Sequence, residues 1–184
     1  MRLLIRALLA ASGIAAIYTF GTGAAAESPT LAEQAQAPEF ANIEHWLNSA
    51  PLTMQQLRGK VVLVEFWTYA CVNCVNTLPH VKQWYEKYKD QGLVVVGVHT
   101  PEFPFEKSTA NVQAALKRFD IRYPVAQDNR YGTWSAYRNQ YWPATYLIDA
   151  SGRIVYRHDG EGRYQETEAA IQKLLAAGKA GTAR

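Results

Sequence analysis

Val61-Val62-Leu63-Val64-Glu65-Phe66-Trp67-Thr68-Tyr69-Ala70-Cys71-Val72-Asn73-Cys74 contains the only two cysteines of a 184-residue chain. Its first seven residues form the nearly continuous β-branched and aromatic run expected of a parallel strand covered on both faces. Leu93-Val94-Val95-Val96-Gly97-Val98-His99 is a second run of this kind. Between them, within 72–89, Val75, Leu78, Val81, Trp84, Tyr85 and Tyr88 recur close to helical spacing. Strand, helix and strand within about 40 residues make a right-handed crossover. The cysteines therefore fall where the first strand hands over to its helix.

That placement has a chemical consequence. Unpaired backbone N–H groups and the positive end of the macrodipole at a helix start stabilise an anion, so the Cys71 thiol is expected to ionise below the free value of about 8.5. A thiol of lowered pKa is both a ready nucleophile and a good leaving group. Cys74, one turn further on, is placed to attack a mixed disulfide on Cys71. A purely structural staple is disfavoured, because closing so short a loop removes little unfolded-state entropy. A zinc knuckle needs a second ligand pair, and the chain has none. His45, His80, His99 and His158 are scattered singly and read as core or surface residues, although a copper(I) site built from both thiolates and a histidine stays open.

Glu65 interrupts the first apolar run. Buried, it must be protonated or have partners, and a raised pKa would let it take the Cys74 proton; a strand-end position facing solvent is the other reading. Pro79 falls inside the first helix, where it removes a backbone bond. Trp142-Pro143 precedes a later strand, and a cis bond there is compatible with the small trans preference of X-Pro. If Pro143 faces the cysteines, the Trp142 backbone is available to an incoming peptide as an added strand.

Downstream, 111–119 reads as a helix, 123–126 as a short strand and 131–137 as a short helix. Segments 145–148 and 153–158 flank Asp149-Ala150-Ser151-Gly152 as a hairpin. A helix over 165–177 closes the chain, with Gly178 as its stop. Parallel strands followed by an antiparallel pair give a mixed α/β sheet with helices on both faces.

Ahead of this, Met1–Ala26 has Arg2 and Arg6, an uncharged stretch over 7–20, and Ala24-Ala25-Ala26. This is a secretory signal pattern, cleaved after Ala26 or retained as an anchor, and it places the folded part in the periplasm. Arg2 and Arg6 are not adjacent, unlike a twin-arginine signal. Residues 27–39, rich in Ala, Gln and Pro, read as a linker, 40–178 as one domain and 179–184 as a flexible tail. With 48% apolar and 19% charged residues the chain is neither disordered nor fibrous. Removing Arg2 and Arg6 takes the formal charge from +3 to +1, which gives nucleic acid no basic face to bind.

The strand-to-helix motif ending in Cys71-Val72-Asn73-Cys74 resembles the redox motif of the thioredoxin superfamily. The match is nearest its extracytoplasmic TlpA/ResA-like branch and the thioredoxin-like domains of DipZ-type proteins. Glu65 stands where thioredoxins carry a buried Asp, Trp67 matches a family tryptophan, Pro79 the helix proline and Pro143 the cis-proline. The similarity spans 42–177, and the extra residues over 100–128 resemble the branch's central helix-strand insertion. It implies a three-layer thioredoxin-like sandwich and a thiol-disulfide oxidoreductase with no cofactor beyond a redox-active Cys71–Cys74 disulfide. The implied roles are Cys71 and Cys74 for exchange, Glu65 for the proton, Trp67, Trp142 and Pro143 for substrate contact, and Glu102 as the insertion carboxylate that tunes the cysteines. The implied partners of a monomeric enzyme are exported proteins with thiols or disulfides, apocytochrome c among them, and a DsbD/CcdA-like membrane electron donor. Val72-Asn73 matches neither the Gly-Pro of thioredoxins nor the Pro-His of strongly oxidising relatives, and Ala70 replaces a second tryptophan. Direction of electron flow therefore stays open, with reduction of substrates favoured. Thr68 also matches part of the Thr-x-x-Cys of peroxiredoxins, which makes a thiol peroxidase the alternative enzyme; a copper(I)-binding chaperone is the non-enzymatic one.

Overall fold

Val61–Trp67 is buried at every position, and its neighbours explain why. In the computed structural model, which describes residues 35–182, this strand (β2) lies at the centre of a six-stranded sheet. The elements in chain order are β1 (His45–Leu47), β2, α1 (Val72–Tyr88), β3 (Leu93–His99), α2 (Thr109–Phe119), β4 (Val125–Gln127), α3 (Gly132–Ala136), β5 (Ala144–Ile148), β6 (Ile154–Asp159) and α4 (Tyr164–Thr182). The sheet order is β1-β4-β3-β2-β5-β6. β2 pairs parallel with β3, and β3 with β4, while β1, β5 and β6 join antiparallel.

Alternation along β2 sends its side chains into two cores. Leu63 and Trp67 meet Leu78, Val81 and Trp84 of α1, Leu116 of α2 and Ile171 of α4. Val62, Val64 and Phe66 meet Met54, Leu57, Tyr137 and Tyr146 on the other face. This three-layer arrangement is the thioredoxin-like α/β sandwich expected from the sequence. The 100–128 insertion supplies α2 and β4, and β4 extends the sheet beyond β3.

The structure departs from the sequence reading in four places. β1 is absent from that reading, because three residues, one exposed and two half-buried, are too few to carry a periodicity. The strand expected over 123–126 starts at Val125. Gly178 does not end α4, which runs to Thr182: a helical glycine costs only about 1 kcal/mol relative to alanine, and alanines surround this one. Residues 179–182 of the expected tail are thus helical.

The last residues of the expected linker are attached to the domain. Gln36 bridges Arg153, Ala37 N–H donates to Gly152 at 2.9 Å, and Ile154 N–H to Ala35 at 2.9 Å. The Glu39 carboxylate accepts from the N–H groups of Met54 and Gln55. The expected signal segment, 1–26, and residues 27–34 lie outside the described residues.

Candidate active site

Helix α1 begins at the carboxyl end of β2, the edge at which open α/β sheets place their sites. Cys71 is its N-cap, with extended backbone (φ −79°, ψ 117°), and its Sγ accepts from Cys74 N–H at 3.4 Å. A sulfur therefore fills the place that a Ser or Asp side chain takes at other helix starts. Both thiols are free; Cys71 is partly exposed, whereas Cys74 is 0% exposed beneath it. A hydrogen bond from the Cys74 thiol, aided by the N–H groups of Cys74 and Asn73, brings the Cys71 pKa down to about 6 against the cost of partial burial. Burial drives the Cys74 thiol far upward, and its bond to Cys71 adds to the effect. The pair is thus split into an accessible nucleophile and a protected thiol.

Glu65 is 0% exposed, which excludes the solvent-facing reading. Burial raises its pKa to about 8, opposed by the Tyr123 hydroxyl, which donates to Oε2 at 3.4 Å. Tyr123 reaches the carboxyl because Gly97, opposite Glu65 in the β2–β3 register, has no side chain: a Cβ there would lie 3.0 Å from both Trp67 Nε1 and Tyr123 Cε2.

On the other side of the thiol, the Trp142–Pro143 bond is cis, and the Trp142 carbonyl lies 4.0 Å from Cys71 Sγ. The Trp142 indole donates to the Thr100 carbonyl at 3.0 Å and packs on Trp134 at 4.1 Å between centroids. Pro143 itself is buried, and its carbonyl accepts from Gly160 N–H at 2.7 Å. Trp67 must be corrected. It is 0% exposed, inserted between sheet and helices, and has no surface to offer a substrate.

Glu102 is exposed, and its like charge acts on Cys71 in the raising direction, the smallest of the named effects. The buried carboxylate of the insertion is Glu106, which the sequence reading missed. It accepts from the Thr68 hydroxyl and from the N–H groups of Ala70, Glu102 and Phe103. Pro104 at the start of the short turn Pro104–Lys107, with Glu two residues later, was the available signal. His99 is buried as well, stacked on Tyr69, and desolvation lowers its pKa to about 4. Thr68 is 0% exposed with its hydroxyl given to Glu106, so it is not free to hold a peroxide at Cys71. Among the described residues, no group of three or more His, Cys, Asp and Glu side chains is placed to hold a metal ion.

Residues 32–175 match the family described as Redoxin. The chain belongs to the redoxin family. Over 148 residues it is 50% identical to protein DipZ of Mycobacterium tuberculosis, which covers 79% of this chain and 21% of DipZ. The chain thus spans about a fifth of that relative's length. It is 31% identical to the thiol-disulfide oxidoreductase YkuV of Bacillus subtilis, covering 76% of this chain and 93% of YkuV. The solved structure of a thiol-disulfide isomerase from Corynebacterium glutamicum superposes with a TM-score of 0.66 at 26% identity, covering 76% of this chain and 96% of the other. The cysteine pair of this redoxin thus stands at the strand-to-helix junction of a thioredoxin-like domain.

Proposed function

We propose that this redoxin is a thiol-disulfide oxidoreductase that reduces disulfides in exported proteins on the far side of the inner membrane. The observation that carries the reading is the division of labour between a partly exposed Cys71 of pKa about 6 and a fully buried Cys74. A strong oxidant holds its nucleophile near 3.5, which stabilises the reduced form and makes the disulfide eager to leave; thioredoxin holds its own near 7. Cys71 stands nearer the second. The leader pattern of Met1–Ala26 supports the compartment.

The Cys71 thiolate attacks one sulfur of a substrate disulfide, forming a mixed disulfide and releasing the other sulfur as a thiolate, which takes a proton from water. The Cys74 thiol then gives its proton to the ionised Glu65 carboxylate and attacks Cys71 Sγ. The second substrate thiolate leaves, and Cys71–Cys74 becomes the disulfide, two electrons having passed to the substrate. Restoring the dithiol requires an external electron donor, and a DsbD/CcdA-like membrane protein fits that role. The exposed apolar side chains Val72, Phe103, Phe105 and Tyr141 flank the cysteines, Trp142 and the insertion, a surface suited to unfolded polypeptide such as apocytochrome c.

Cys74→Ser tests this reading. Incubated with insulin, it should accumulate a covalent mixed disulfide on Cys71 that the parent does not retain, while Cys71→Ser forms none. Undiminished turnover by Cys74→Ser would refute the scheme.

A further inference from the structure

The exchange scheme leaves one buried carboxylate unused. Glu106 is 0% exposed, and both its oxygens are engaged. Oε1 accepts the Thr68 hydroxyl and the Ala70 N–H, the latter at 3.1 Å. Oε2 accepts the N–H groups of Glu102 at 2.6 Å and Phe103 at 2.8 Å. A carboxylate has about four acceptor positions, and here each has a donor. Such a group is costly to bury, and these bonds compensate the cost. Its partners are telling. Thr68 and Ala70 belong to the loop that leaves β2 and delivers Cys71, whereas Glu102 and Phe103 belong to the loop that leaves β3. One side chain thus clamps two crossover loops whose residues are otherwise 34 positions apart or nearly so in the chain.

Both loops act on the same sulfur. Ala70 directly precedes the N-cap, and the N-cap backbone is what sets Sγ 3.4 Å from Cys74 N–H, the contact that favours thiolate. Glu102 carries the exposed carboxylate whose charge disfavours it. We propose that Glu106 is a positioning residue for Cys71, holding Ala70 against the loop that leaves β3 so that the attacking sulfur stays over the helix amides. The proposal deepens the exchange reading, on which it rests for its functional meaning, and assigns Glu106 no contact with substrate.

Glu106→Gln replaces one acceptor oxygen by a donor nitrogen, so the side chain can no longer receive all four donors. The readout is the Cys71 titration, followed by alkylation rate against pH in the folded, reduced protein. Loss of the Glu106 charge alone would lower the Cys71 pKa, so a rise of about one unit, a roughly tenfold loss of thiolate at a pH well below its pKa, is the expected signature of the lost Ala70 anchor. Thr68→Val, which removes a single donor and leaves the carboxylate in place, should shift it the same way by less, and it carries the test if Glu106→Gln does not fold. A folded Glu106→Gln, or failing that a Thr68→Val, whose Cys71 titrates as in the parent or lower overturns the proposal. These titrations need no turnover. Failure of the parent to reduce insulin would sink the exchange reading, and unchanged titrations in an active parent would sink this one alone.

Discussion

Cys71 is partly exposed whereas Cys74 and Glu65 are fully buried, and that difference determines their chemistry. The Cys71 thiolate should form near pH 6 and Glu65 should ionise near pH 8, so the full exchange rate should climb in two steps as pH rises, the second reporting proton acceptance from Cys74. Stopped-flow reduction of a small disulfide across this range checks it, and Glu65→Gln should lose the upper step. The same residue makes a stability prediction of known sign. Glu65 has a folded pKa raised above its ordinary 4.5, so the native state keeps a proton that the unfolded chain releases, and its contribution falls as pH climbs from about 4.5 to about 8. Urea unfolding should therefore show Glu65→Gln gaining on the parent across that window, with a ceiling of about 5 kcal/mol. Cys71 and Cys74 were legible because a helix start makes sulfur chemistry predictable, and Glu65 because a charge in an apolar strand demands an explanation. Glu106 was not, since a glutamate in a loop looks solvated until its four donors, drawn from two separate loops, are in place.

Among the elements, β2 and β3 could be read directly because their apolar runs record burial on both faces, and α1 because its buried stripe Leu78, Val81 and Trp84 follows helical spacing. Gly97 leaves a gap in the side chains of β3, and the register shows its use: it faces Glu65 and leaves room for the Trp67 and Tyr123 rings. Gly97→Val should force those rings apart, cost about 1 to 3 kcal/mol in thermal unfolding, and disturb the Tyr123–Glu65 hydrogen bond. β1 stayed hidden because its partner, β4, is contributed by the insertion about 80 residues later, and such pairing leaves no local pattern. The continuation of α4 past Gly178 was missed for the opposite reason: a local stop signal was overridden by the alanines around it.

For the molecule as a whole, the linker reading matters most, because it set the start of the domain at residue 40. The sequence shows Ala, Gln and Pro there, and composition does not reveal that Ala35, Ala37 and Glu39 find donors and acceptors on the sheet and the 53–58 turn. A chain beginning at residue 40 should be less stable than one beginning at residue 35 by about 2 to 4 kcal/mol, from the loss of these bonds, as read by urea denaturation. Function rests on a property of the whole folded chain, the relative stability of its dithiol and disulfide forms, and a tenfold change in that balance is only about 30 mV. Equilibrating the protein with glutathione buffers of graded ratio and counting the Cys71–Cys74 disulfide by mass therefore measures that balance. A reductant should show a reversible two-electron transition below about −230 mV; a couple near −120 mV, or no reversible transition at all, would contradict the proposed function.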